Sequence, residues 1–213
     1  SIRRQRQMCI RDRIGAIKLH IADNSGKFIP TTDLSGYHDP LVEGDVIYFP
    51  YLGCHAVDVN TGALKWAAEM IQGGSEFKKS HAPLRIKGDR IFGSAGGSIY
   101  SLDKATGAVV WKSDRISSYA GLLKARDNAL VSQLEFVGDT VFARYGGSFS
   151  TGQAVVLREP IGVVALNAAD GKDLYHFDKA KEGITNLVVL PEAKTVVFAD
   201  GANVFGIDSS GAA

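Results

Sequence analysis

The chain has 213 residues, of which 45% are hydrophobic and 22% charged, with a formal net charge of +1. This is the composition of a globular domain with a substantial core. The balance of charge offers no basic excess to nominate nucleic acid or an anionic membrane as partner, and no continuous apolar run is long enough to cross a bilayer as a helix.

Residues 1–13 (SIRRQRQMCIRDR) set Arg3, Arg4, Arg6, Arg11 and Arg13 against Asp12 alone. A basic arm that binds phosphate is one reading. The other, preferred here, is that the segment resembles the translated sequencing-adapter tag seen at the ends of conceptual translations: non-native, disordered and set aside from the fold. The domain then runs over residues 14–213 and is net acidic. With Cys9 in the doubtful segment, Cys54 has no disulfide partner, and its strand context reads as a small buried apolar residue. No Cys-x-x-Cys or mixed Cys/His spacing for a metal is present.

Residues 16–29 (AIKLHIADNSGKFI) match only the last two strands of the unit that follows. That unit is Gly-Asp, an apolar run, glycines, a second apolar run ending in Asp or Asn, a Gly turn and a third run. It recurs at 44–66, 88–111 and 138–175. In the first copy strands are expected near 40–42, 46–51, 54–58 and 63–67. In the second they are expected at 82–86, 90–95, 98–103 and 108–113, with Gly96-Gly97 as a hairpin turn. The third copy places them at 133–136, 140–145, 162–167 and 172–177, with an insertion at 148–160 expected to project as a long loop. A fourth copy offers 186–190, 195–199 and 203–208 and reaches the Ser209-Ser210-Gly211 turn, short of a fourth strand.

Four short antiparallel strands per unit describe a propeller blade. A unit of this size cannot bury its own apolar face and must stack on its neighbours. The expected fold is therefore all-β: a partial β-propeller of about three full blades plus two incomplete ones. A part of a larger ring leaves missing blades as obligatory neighbours and exposes strand edges.

The pattern Ala-x-Asp-x-x-Thr-Gly-x-x-x-Trp is carried in full by Ala56, Asp58, Thr61, Gly62 and Trp66. The second copy has Asp103, Thr106, Gly107 and Trp111, with Ser101 in the alanine place. The third keeps Ala165 and Gly171 and substitutes Asn167 and Tyr175. These repeats resemble those of the pyrroloquinoline-quinone-like, or quinoprotein alcohol dehydrogenase-like, β-propellers. The Asp and Gly are suited to a tight turn. The resemblance implies that Trp66 and Trp111 dock between adjacent blades and that Tyr175 fills the same slot less completely.

The resemblance also implies two competing functions. One is a non-catalytic binding or scaffold module of the bacterial cell envelope, periplasmic or exported, with protein partners and no cofactor. The other is a fragment of a quinone-dependent alcohol or sugar dehydrogenase, which would bring pyrroloquinoline quinone and calcium. A sensor propeller fused to a kinase or other effector is a third possibility. Dehydrogenases of this kind often carry adjacent cysteines, which this sequence lacks, and nothing here matches a calcium-ligand motif. The five histidines show no zinc spacing, so no catalytic, cofactor-binding or metal residue is assigned. A ligand rim is the remaining expectation. His38 and His81 precede the first strands of successive blades, and Arg144 and Arg158 flank the insertion, on the face where propellers bind ligands.

Overall fold

Short β-branched and aromatic runs punctuated by glycine turns form strands that pair with their sequence neighbours, and every sheet in the computed structural model is built this way. It describes residues 39–50, 53–70, 82–114, 116, 131–150, 155–180 and 183–209. For 147–150 and 155–159 the description is of backbone alone. Segment 1–13, the half-blade at 16–29, His38 and His81 lie outside the described residues.

Blade 1 comprises β1 (Leu41–Glu43), β2 (Val46–Phe49), β3 (Gly53–Asp58) and β4 (Leu64–Glu69). Blade 2 comprises β5 (Arg85–Lys87), β6 (Arg90–Ala95), β7 (Ser98–Asp103) and β8 (Val109–Lys112). Blade 3 comprises β9 (Val131–Val137), β10 (Thr140–Ser150), β11 (Val155–Asn167) and β12 (Asp173–Phe177). Blade 4 contributes β13 (Val188–Leu190), β14 (Thr195–Ala199) and β15 (Val204–Asp208). Each sheet is an antiparallel meander in chain order, and the described residues contain no helix. The fold is the partial β-propeller that the repeat predicts. β6, β7 and β14 fall on the expected residues. Two of the first strands are shorter than expected: in blade 2 Ala82 to Leu84 approach the sheet without pairing and only Arg85 to Lys87 join it, and in blade 4 the strand begins at Val188, whereas in blade 3 it is longer, Val131–Val137.

Three apolar layers lie between the sheets. Tyr48, Cys54 and Ala56 of blade 1 pack on Leu84, Ile91 and Leu102 of blade 2. Phe92, Ile99 and Trp111 of blade 2 pack on Leu134, Val141 and Leu166 of blade 3. Phe142, Val163 and Phe177 of blade 3 pack on Val196, Phe198 and Ile207 of blade 4. Each middle sheet is thus apolar on both faces, as stacking of repeats requires. Cys54 is fully buried and its thiol is pushed up by that burial, which makes it inert packing. At the inner edge the first strands of neighbouring blades meet through Arg85 of β5 and Glu135 of β9, at 3.1 Å.

The insertion in blade 3 corrects the expected loop. β10 and β11 continue past the blade as a two-stranded ribbon, with Gly147 opposite Arg158, Ser148 opposite Leu157, Phe149 opposite Val156 and Ser150 opposite Val155. An irregularity follows the Tyr145–Gly162 pair: one residue on β10 faces three on β11 before pairing resumes. This is a bulge-type device, which bends a hairpin without ending it. The ribbon leaves blade 3 at the end where Gly96-Gly97 closes the β6–β7 hairpin in blade 2.

One buried group is out of keeping with its layer. Ser101 occupies the alanine place of the repeat, is completely buried, and its hydroxyl has no hydrogen-bond partner; the equivalent Ala56 and Ala165 have no polar atom to satisfy. A desolvated, unpartnered hydroxyl costs about 1–3 kcal/mol. Ser101→Ala is therefore expected to stabilise the protein by about 1 kcal/mol, read as a raised urea midpoint at unchanged slope. A lowered midpoint would show that the hydroxyl has a partner.

Candidate functional site

The repeat residues come together at the turn between the third and fourth strands. In blade 1 the Asp58 carboxylate accepts the backbone N–H of Asn60 at 3.0 Å and of Thr61 at 2.8 Å, and the Thr61 hydroxyl at 2.9 Å. The Gly62 N–H closes the turn on the Asp58 carbonyl at 2.8 Å. Asp103 repeats this with the Thr106 N–H at 2.8 Å and hydroxyl at 2.6 Å, and Asn167 does so with the Ala169 N–H at 2.8 Å. Gly62, Gly107 and Gly171 take φ of 71°, 74° and 73°, the left-handed region that an L side chain enters only at a cost.

These bonds hold both carboxyls below the usual aspartate range, chiefly the Thr61 backbone N–H for Asp58 and the Thr106 hydroxyl for Asp103. A carboxyl whose folded pKa is depressed contributes stability that is fully present above its unfolded value, about 3.9, and is lost as pH falls through the lower folded value. Urea midpoints are accordingly expected to fall as pH drops from about 5 towards 2. In the double variant Asp58→Asn, Asp103→Asn, which copies Asn167, that fall should be visibly shallower. An identical pH profile would remove these turns from the acid response.

The turn glycine receives the aromatic of the preceding blade. A Cβ placed on Gly107 would sit 2.5 Å from Cε3 of Trp66, and one on Gly171 would sit 2.5 Å from Cε3 of Trp111. The same indoles donate across the junction: Trp66 Nε1 to the Lys104 carbonyl at 3.2 Å and Trp111 Nε1 to the Ala168 carbonyl at 2.9 Å. Tyr175 holds the equivalent position in blade 3 and packs against the layer shared with blade 4. These nine repeat residues, from Asp58 to Tyr175, are thus arranged as a joint and not as a pocket.

The expected rim is only partly placed. Arg144 lies within β10, on the part of it expected as a strand; its Nε donates to Ser132 Oγ and its Nη1 to the Ile184 carbonyl, both at 2.9 Å. Arg158 pairs with Gly147 in the ribbon. His38 and His81 are not described. The sequence reading missed a row of polar ties along the inner strands. Arg85 pairs with Glu135; across the blade 3–4 junction Gln133 Nε2 donates to the Leu187 carbonyl (3.0 Å) while its Oε1 accepts the Leu187 N–H (2.7 Å). Lys87 bonds the Gly138 carbonyl and reaches Asp139 at 3.1 Å. Alternation of charge in Arg85-Ile86-Lys87 and Gln133-Leu134-Glu135 signals one polar face, but not which blade answers it. Tyr100 also crosses, its hydroxyl donating to the Gly53 carbonyl at 2.9 Å.

A quinone–calcium site would need several carboxylates free to converge on the metal. Among the described residues no three His, Cys, Asp or Glu side chains converge to hold a metal, and Asp58 and Asp103 each spend an oxygen on turn N–H groups. The described residues do not fit such a site, and no reaction step is derived through it.

Sheets of four antiparallel strands, stacked through aromatic and glycine pairs at this register, define a propeller of pyrroloquinoline-quinone-like repeats. The chain belongs to the family described as outer membrane protein assembly factor BamB, whose profile matches residues 31–212. No curated protein matches it by sequence. Among solved structures, the quinohemoprotein alcohol dehydrogenase of Comamonas testosteroni is 15% identical at TM-score 0.56, over 84% of this chain and 34% of that one. The computationally designed Ika4 protein is 14% identical at TM-score 0.53, over 81% and 90%. BamB from Moraxella catarrhalis is 18% identical at TM-score 0.44, over 81% and 61%. At these identities the likeness is one of fold. The chain spans about a third of the dehydrogenase's length and less than two thirds of the Moraxella protein's.

Proposed function

We propose that this chain is part of a non-catalytic propeller that serves as a protein-binding scaffold in the bacterial cell envelope. The family match over residues 31–212 carries the reading, since the family is described as an outer-membrane protein assembly factor. The use of the repeat carboxylates supports it. Asp58 and Asp103 are held ionised by turn donors, which suits a structural acceptor and ill suits a general base poised near neutral pH. The same family relationship supports an envelope location and protein rather than small-molecule partners.

The dehydrogenase reading is separated by experiment. The full-length protein is mixed with pyrroloquinoline quinone and calcium, and assayed for bound chromophore and dye-linked alcohol oxidation. In parallel it is cross-linked in envelope fractions. The expected result is no saturable chromophore and no turnover, with cross-links to outer-membrane assembly components. Saturable quinone binding with turnover overturns the proposal.

A further inference from the structure

The polar ties along the inner strands are joined, because one carboxylate oxygen links two of them. Glu135 Oε1 of β9 accepts from Arg85 Nη2 of β5 at 3.1 Å and from Gln133 Nε2, on its own strand, at 2.9 Å. Gln133 Nε2 also donates to the Leu187 carbonyl at 3.0 Å, and its Oε1 accepts the Leu187 N–H at 2.7 Å. Residues 133 and 135 stand two apart on a strand and so share one face of it, opposite Leu134, which packs in the layer between blades 2 and 3. A continuous chain of hydrogen bonds therefore runs from blade 2, along the inner strand of blade 3, to the approach of blade 4. Leu187 is buried in the layer shared by blades 3 and 4, so what grips its backbone grips that junction.

The Gln133 amide has one orientation that satisfies all three of these neighbours. Turned over, it would set its oxygen against the Leu187 carbonyl and the Glu135 carboxylate, and its N–H groups against the Leu187 N–H. Glu135 thus helps to fix the amide, with the added strength of a charged acceptor. Arg85 in turn fixes Glu135. The two side chains are 36% and 24% exposed, and a partly solvated ion pair contributes little stability by itself. Its effect lies in restricting the Glu135 rotamer, and bonds joined in a network strengthen one another. Lys87 supplies the contrast. It too belongs to β5 and crosses the same junction, to the Gly138 carbonyl and to Asp139 at 3.1 Å, but its acceptors are not the groups that Gln133 bonds.

We propose that Glu135 is a positioning residue that couples two blade junctions: the Arg85 ion pair between blades 2 and 3 governs how firmly the Gln133 clamp seats blade 4 on blade 3. Stacked repeats ordinarily answer only to their neighbours, and this relay carries an event at blade 2 one junction further. The coupling is independent of the scaffold reading, since it acts through the same residues whatever the propeller binds.

Amide hydrogen exchange of the full chain tests the coupling, read by NMR at the Leu187 N–H in the regime where the rate follows the opening equilibrium. The Thr185 N–H, which bonds the Ala199 carbonyl within blade 4 at 2.8 Å, is the internal reference and should not move. Gln133→Met should speed Leu187 exchange about tenfold or more, because it orphans a buried N–H. Arg85→Met, two blades away, should speed it about threefold or more, and Arg85→Lys should restore part of the protection. Lys87→Met should change it by less than about 1.5-fold, and adding Arg85→Met to Gln133→Met should bring no further change. An unmoved Leu187 rate in Arg85→Met overturns the proposal. So does equal acceleration in Lys87→Met or at Thr185, which would mean general loosening, or further acceleration by Arg85→Met in the Gln133→Met background. Where Gln133→Met fails to fold, salt takes its place. In about 1 M sodium chloride, where charges are screened beyond about 3 Å, Leu187 exchange should speed up in the parent and not in Arg85→Met. Equal salt effects on the two proteins overturn the coupling.

Discussion

Replacing Gly107 with alanine is expected to destabilise the protein by about 3 kcal/mol, whereas the same change at Gly138 costs about 1 kcal/mol. The two glycines share the left-handed backbone, with φ of 74° and 55°, so each variant bears a conformational penalty of roughly 1–2 kcal/mol. They differ in what the new methyl meets. At Gly138 nothing lies within 4 Å of an added Cβ, while at Gly107 that Cβ would lie 2.5 Å from Cε3 and 2.6 Å from Cδ2 of Trp66. A ring wedged between two sheets cannot swing aside as a flexible chain end can, so overpacking adds about 1–3 kcal/mol. Urea midpoints for the two variants give the comparison directly. The cycle with Trp66→Ala is more telling. Once the ring is gone the methyl has room, and the double variant should be more stable than the sum of the singles predicts by about 1 kcal/mol or more. Equal costs at Gly107 and Gly138, or additive behaviour in the cycle, would mean that Trp66 does not seat on that glycine.

Much of this joint was legible in the sequence because its parts are local. Asp58 and Gly62, or Asp103 and Gly107, sit four residues apart, and a turn that needs an acceptor and a positive φ announces itself at that range. The aromatic follows four residues later on the next strand. The recurrence of the unit gave the blades, and a unit too small to bury its own apolar face had to stack on its neighbours. What was illegible depends on pairing at a distance. The stretch 148–160 contains glycine and proline and reads as a loop, yet register places Ser150 opposite Val155 and prolongs the hairpin. Nothing in Ser132-Gln133-Leu134-Glu135 alone says that Gln133 will clasp Leu187 or that Glu135 will meet Arg85, because each partner lies about fifty residues away. Arg144 illustrates the same limit: its proximity to the insertion marks it in the sequence, whereas its bonds to Ser132 and to the Ile184 carbonyl appear only in the folded arrangement.

Trp111→Ala is expected to be the most damaging single change, at about 3–5 kcal/mol. The indole is only 7% exposed, packs edge-on to Phe92 at 5.9 Å, and seats on Gly171 of the next blade. Truncation would open a cavity in the layer between blades 2 and 3, and rigid sheets on both sides limit its collapse. Trp111→Phe separates packing from hydrogen bonding. It keeps most of the ring and loses the bond to the Ala168 carbonyl, but Arg90 still donates to that oxygen at 3.1 Å, so the carbonyl is not orphaned and the cost should be about 1 kcal/mol. Trp66→Ala should cost less than Trp111→Ala, because Trp66 is less buried and its bond is longer, 3.2 Å against 2.9 Å. Since blades contact only their neighbours, the damage should stay near its junction. In Trp111→Ala, amide exchange is expected to accelerate in β6–β11 and to stay near the parent rate in β2 and β3. The chain has two tryptophans, so Trp66→Phe leaves the 111 site as the sole indole reporter of that junction. Uniform acceleration of exchange across all four sheets would show instead that the blades unfold as one block and that this indole is not a local fastening.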